Sequence, residues 1–147
     1  MNSTSIHLLL ADDDKDDCLF FQDALDELSL VASFKAVYDG EQLMNFLLKE
    51  STLPTVLFLD LNMPRKNGFE CLIEIKSNEK LKELPVVIYS TSYDTEMISK
   101  LYSNGAQYYI RKPSEYSKLK QVIKHALSLI VESITSQPPK EKFVLQP

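Results

Sequence analysis

The sequence predicts a doubly wound α/β domain: a five-stranded parallel sheet with helices on both faces. Three observations carry this. Five short β-rich runs alternate with helical patterns: Ile6 to Ala11, Phe34 to Tyr38, Thr55 to Asp60, Pro85 to Ser90 and Gln107 to Arg111. The third and fourth, Val56-Leu57-Phe58-Leu59 and Val86-Val87-Ile88-Tyr89, are almost wholly apolar, as strands covered on both faces are. The stretches between them repeat apolar residues at spacings of three and four.

In chain order, the first run leads into Asp12-Asp13-Asp14, with Asp14 placed to cap a helix whose buried face is Cys18, Phe21, Leu25 and Leu28. After the second run, Asp39 with Gln42 three residues on starts the second helix. Asn67 with Glu70 has the spacing of a capping box and starts the third, between the third and fourth runs. Ser114, just after Pro113, reads as the cap of the last helix, which buries Leu119, Val122, Ile123, Ala126 and Ile130. That helix is expected to end near Ser133 to Ser136, because Pro138-Pro139 cannot continue it. The organisation expected is one domain over residues 1–136 and a tail over residues 137–147 without periodicity.

Composition sets the function classes. A chain of 147 residues, 44% hydrophobic and 25% charged, has enough apolar material for a single core and too much for a disordered segment. With 16 basic against 21 acidic residues the net charge is −5, and no basic run exceeds Arg111-Lys112, which argues against direct nucleic-acid binding. Met1 to His7 has no charged-then-apolar leader, and no run of about 18 apolar residues occurs, so a cytoplasmic protein without membrane insertion is expected. Cys18 and Cys71 sit far apart in apolar patterns and read as plain buried thiols. His7 and His125 stand alone, which leaves little material for a histidine triad or a histidine metal site.

In an open α/β sheet, ligands bind beyond the carboxyl ends of the strands. Here the first strand ends in Asp12 and Asp13, the third in Asp60, the fourth in Ser90-Thr91 and the fifth in Arg111-Lys112. Crowded carboxylates are mutually destabilised unless a cation neutralises them, and hard oxygen donors suit Mg²⁺. Asp13, Asp60 and a nearby backbone carbonyl would leave room for a phosphoryl group, whose oxygens Lys112 and Ser90 would hold. A blander role fits some of these residues. Asp16 and Asp17 read as a solvated helix start that favours the positive end of the dipole. Ser90 taken alone could simply finish a strand by bonding local backbone, and Lys112 taken alone could be a snorkelling surface lysine.

Together these residues resemble the receiver domain of two-component response regulators, the CheY-like family, over roughly residues 6–133. The resemblance rests on Leu8-Leu9-Leu10-Ala11-Asp12-Asp13, on Leu59-Asp60-Leu61-Asn62-Met63-Pro64 followed by Gly68, on Pro85 through Ser90-Thr91, and on Gly105-Ala106 leading to Lys112-Pro113. It implies a flavodoxin-like sheet of order 2-1-3-4-5. It implies that Asp60 accepts a phosphoryl group from a sensor histidine kinase or a histidine phosphotransfer protein. Asp12, Asp13, Asp60 and the backbone carbonyl of Asn62 would bind Mg²⁺. Ser90 and Tyr109 would act as the switch that reshapes the face built by the fourth helix, fifth strand and fifth helix, while Asn62 and Ser92 would tune the phosphoryl lifetime. The Lys112-Pro113 bond would be cis. Two departures bear on switching: Ser90 replaces the commoner threonine, and Thr91 stands where a smaller alanine is common.

The chain ends after one helix and a tail, so output through contact with a downstream protein target is expected, with no enzymatic turnover beyond self-phosphotransfer and slow autodephosphorylation at Asp60. The stretch from Asp60 to Gly68, with Ser90-Thr91-Ser92 and Tyr108 to Pro113, is similar to short regulators paired with phytochrome-type kinases. Tyr93, Tyr102 and Tyr108 fall near the expected output face, as partner anchors or as ordinary half-buried tyrosines. Phe143-Val144-Leu145 offers a contact for a second subunit, and with it a homodimer. Three other classes fit less well. A haloacid-dehalogenase-type phosphohydrolase usually wants an acid where Asn62 stands. A phosphorylation-independent scaffold would not need the acid cluster. A flavin binder would need a Gly-rich or Ser/Thr-rich phosphate loop after the first strand.

Overall fold

Alternation along each strand places the two layers of helices. In the computed structural model, which describes residues 5–31, 33–132 and 137–146, the strands are β1 (His7–Ala11), β2 (Ser33–Val37), β3 (Val56–Leu59), β4 (Val86–Ser90), β5 (Tyr108–Arg111) and β6 (Val144–Leu145). All pair in parallel, in the order β2-β1-β3-β4-β5-β6. Leu8, Leu10, Val56, Phe58, Val87 and Ile110 turn to one face and pack with α1 (Lys15–Leu28) and α5 (Tyr116–Glu132). Leu9, Ala11, Leu57, Leu59, Val86 and Ile88 turn to the other and pack with α2 (Gly40–Lys49), α3 (Gly68–Ser77) and α4 (Thr95–Ser103). The apolar runs of β3 and β4 are therefore two interleaved cores read along one chain.

The expected helix starts are present at three positions. Asp14 accepts a hydrogen bond from Asp17 N, Asp39 accepts one from Gln42 N, and Asn67 and Glu70 form the reciprocal capping box. Asp94 caps α4 through Glu96 N, a start that the sequence reading did not single out. The last start differs: α5 begins at Tyr116, and the Leu119 N–H bonds to the carbonyl of Glu115, so Ser114 lies one residue too early to be its cap. The expected end of that helix near Ser133 to Ser136 lies outside the described residues.

All five expected strands are present, and the segment read as a tail adds a sixth. Lys140–Lys142 form a 3-10 turn, and Val144 and Leu145 pair with Tyr109 and Ile110 of β5. Phe143, offered by the sequence to a second subunit, is 1% exposed within its own chain, against the rings of Tyr102 and Tyr109. The segment is held further by Tyr102, whose hydroxyl donates to the Pro138 carbonyl, and by Gln137, whose amide donates to the carbonyls of Tyr102 and Ala106. Among the described residues, no helix is long and apolar enough to cross a membrane.

Candidate functional site

Parallel pairing brings the carboxyl ends of β1, β3, β4 and β5 to one edge, and the backbone fixes each end before any side chain acts. Asp12 N–H bonds to the carbonyl of Val37, Asp60 N–H to Ala11, and Lys112 N–H to Ser90. The site residues thus come from four strand ends tied to one another by the ladder.

Asp12, Asp13 and Asp60 each present a carboxylate oxygen within 4.8 Å of the others. Asp13 is exposed, whereas Asp12 and Asp60 are buried. One oxygen of Asp12 accepts from the Asp14 N–H at 3.0 Å, and one oxygen of Asp60 accepts from the Asn62 N–H at 3.4 Å. The other oxygen of Asp12 is buried and forms an ion pair with the ammonium of Lys112, 2.8 Å away. Three carboxylates that converge in this way, two of them buried, are a hard-oxygen donor set that fits a divalent cation. Burial, reinforced by the charge of Asp12 and opposed by Lys112 and the Asn62 N–H, pushes the Asp60 carboxyl up to about 7.

Lys112 is 9% exposed and stands between acids, its Nζ 2.9 Å from Asp17 and 3.7 Å from Asp60 as well as close to Asp12. The ammonium also lies 5.3 Å from the centre of the Tyr89 ring. Burial pulls its pKa down, but Asp12, Asp17 and Asp60 outweigh that and hold it charged. The snorkelling role does not apply to it. Asp16 is exposed, as a solvated helix start should be. Asp17, read the same way from the sequence, instead spans to Lys112.

Ser90 is fully buried, and its hydroxyl accepts from the Ser92 N–H at 3.2 Å. The Ser92 carbonyl in turn accepts from the hydroxyl of Tyr109, whose ring is wholly inside. The backbone of one residue, Ser92, therefore links the two residues expected to switch. Asn62 and Ser92, the two positions expected to tune lifetime, line one groove of about 550 Å³ together with Met63, Phe69, Asp94 and Met97. Of the expected partner anchors, Tyr93 is exposed with Arg111 over its ring, Tyr102 is half-buried against Phe143, and Tyr108 is buried. The expected cis bond is absent: no cis peptide occurs among the described residues, and Lys112-Pro113 takes the trans form that X-Pro bonds favour by about 0.5–1 kcal/mol.

Comparison with known proteins identifies the family and the fold. The model of the response regulator receiver domain family matches residues 8–124. Response regulator Rcp1 of Synechocystis sp. is 31% identical over 133 residues, covering 87% of this chain and 90% of that protein. Among solved structures, the phosphorylated cyanobacterial phytochrome response regulator RcpA superposes with a TM-score of 0.79 at 33% identity, over 92% of this chain and 100% of that one. The Mn²⁺-bound form of Rcp1 does so with a TM-score of 0.77 at 30% identity, over 91% and 99%.

Proposed function

This chain belongs to the response regulator receiver domain family, and from that premise we propose that Asp60 is its phosphoacceptor, with Asp12, Asp13, Lys112 and Ser90 as the supporting machinery. The observation that carries this is the buried Asp60 carboxylate, within 4.8 Å of those of Asp12 and Asp13 and 3.7 Å from an ammonium. A carboxylate so placed has the charge partners that phosphoryl transfer needs and little else to do structurally.

In the transfer, an Asp60 oxygen forms a bond to phosphorus while the phosphorus–nitrogen bond of the donor histidine breaks, and the released imidazole nitrogen takes a proton from solvent. Lys112 and the Ser90 hydroxyl meet the phosphoryl oxygens, where fixed donors offset charge without reorganising. Asp12, Asp13, Asp60 and the backbone carbonyl of Asn62 would hold Mg²⁺. Bound there, the ion would neutralise charge shared between the carboxylates and the phosphoryl group. The all-oxygen donor set supports a hard divalent cation, and the Mn²⁺-bound form of Rcp1 supports a cation site in a close relative.

The phosphoryl group draws the Ser90 hydroxyl toward itself, and the Ser92 peptide passes that displacement to Tyr109. Output then runs through protein contact, with a downstream protein or a second copy of the chain. The likeness to RcpA, a phytochrome response regulator, supports a phytochrome-type sensor histidine kinase as the phosphoryl source, directly or through a histidine phosphotransfer protein. The division at residue 136 is proposed as a boundary of the receiver proper, with the remaining residues a C-terminal extension that leans on it.

The test is intact mass after incubation with Mg²⁺ and acetyl phosphate. The wild type gains one phosphoryl group, and both Asp60→Asn and added chelator abolish the gain. A wild type that gains nothing from acetyl phosphate or from a phosphorylated histidine donor overturns the reading and favours a phosphorylation-independent adaptor.

A further inference from the structure

Of the three acids around Lys112, one lies outside the carboxylate cluster. Asp17 sits in the first turn of α1, where its N–H bonds to the Asp14 side chain and fixes its backbone. Its carboxylate reaches across to β5 and accepts a hydrogen bond from the Lys112 ammonium at 2.9 Å. Lys112 also pairs with Asp12 at 2.8 Å and with Asp60 at 3.7 Å, both members of that cluster. Asp17 is thus the directed partner of this ammonium that stands outside the carboxylate cluster. Asp16, its neighbour, already supplies negative charge to the helix start from a solvated position, so the dipole does not account for Asp17.

We propose that Asp17 is a positioning residue that holds the Lys112 ammonium at the height where it meets a phosphoryl group on Asp60. The inference rests on the phosphoacceptor reading of Asp60. A cation held by Asp12, Asp13 and Asp60 would compete with Lys112 for the Asp12 carboxylate. A phosphoryl group then needs the ammonium on its own side of the site. Asp17 takes no part in the cation cluster and remains as the fixed end of the lysine's travel. One N–H stays on Asp17, and the other two are available to phosphoryl oxygens.

Charge alone predicts the opposite sign, which makes the inference testable. Removing an acid makes the site less negative and would tighten its hold on an anion. Removing the anchor frees a flexible lysine and loosens it. Beryllofluoride, a phosphoryl mimic, is titrated by calorimetry at saturating Mg²⁺ into the full chain, with Mg²⁺ affinity and melting temperature measured in parallel. Asp17→Ala is expected to bind beryllofluoride about tenfold more weakly, the scale of one charge-assisted hydrogen bond. Mg²⁺ affinity should stay within about twofold, since Asp17 is not one of the cation ligands. Asp17→Glu, which keeps the acceptor, should recover part of the loss. In a Lys112→Met background, Asp17→Ala should weaken binding no further.

Tighter binding by Asp17→Ala and Asp17→Asn overturns the proposal in favour of bare electrostatics. Equal loss of Mg²⁺ and beryllofluoride affinity, or additivity with Lys112→Met, overturns it in favour of a structural role. If the wild type itself takes no beryllofluoride, the phosphoacceptor reading fails first and the inference falls with it.

Discussion

A Cβ built on Gly68 would stand 2.2 Å from the carbonyl oxygen of Asp60. The start of α3 therefore presses directly on the backbone that carries Asp60, and the Gly68 N–H is bonded to the next carbonyl, that of Leu61. Contact with backbone cannot be relieved by a side-chain rotation.

Gly68→Ala is accordingly expected to push the β3 end out of place. We expect a stability loss of about 1–3 kcal/mol, the scale of overpacking a tight core site. Phosphorylation by acetyl phosphate should slow more than the lost stability accounts for. Thermal melts and the time course of intact mass check the two effects separately.

Asp60 gives stability a pH dependence of defined sign. Its carboxyl titrates near 3.8 in the unfolded chain and is pushed up to about 7 in the fold, so the folded state holds the proton more tightly between those values. The stability it contributes is complete below the unfolded value and is lost as pH rises through the folded one. Without divalent cation, Asp60→Asn should therefore match the wild type near pH 4 and exceed it at pH 8, by on the order of 1–2 kcal/mol. Saturating Mg²⁺ should remove the advantage. Denaturant melts of both proteins across that pH range, with and without Mg²⁺, provide the check.

Both thiols should be silent toward alkylating reagents in the native state. Burial pushes Cys18 and Cys71 up to about 12, with nearby acids adding to the effect, so almost no thiolate exists at neutral pH. Mass spectrometry after iodoacetamide treatment should show no adduct without denaturant and two adducts in it.

Phe143 is a core residue supplied by the C-terminal segment. Phe143→Ala should cost about 3–5 kcal/mol, in the range of large aromatic truncations, and Phe143→Leu much less. A melting temperature unchanged in Phe143→Ala would mean that the segment lies on the domain without stabilising it.

The contrast between β4 and β6 explains what the sequence makes legible. β4 is read easily because all five of its residues are buried, so it stands out as an apolar run. β6 is two residues long, too short for any period to declare itself, and its pairing depends on β5 being there to receive it. The same distinction runs through the site. Asp12, Asp13, Asp60, Ser90 and Lys112 each end a strand, and strand ends of a parallel sheet meet at one edge whatever the details of packing. Asp17 has no such mark. In sequence it is one of several acids at a helix start, and what separates it from Asp16 is a lysine 95 residues away. Ser114 shows the converse: a good capping residue beside Pro113, passed over because the helix starts one residue later than a cap at Ser114 would require. Gly68 was legible as part of a motif, yet its reason is the distance to Asp60, which exists only in three dimensions.

Tyr109 touches the β4–α4 loop with its hydroxyl and Phe143 with its ring. In an interior packed as densely as a crystal, a flat ring wedged between two neighbours cannot tilt toward one without vacating space beside the other. The loop and the last strand thus share a single plate, and neither can be repacked alone. Under the proposed switch, a displacement that begins at the Asp60 edge would arrive at the C-terminal segment as a change in the room left for it. The segment becomes a gauge of the ring's angle, read from outside the site that set it.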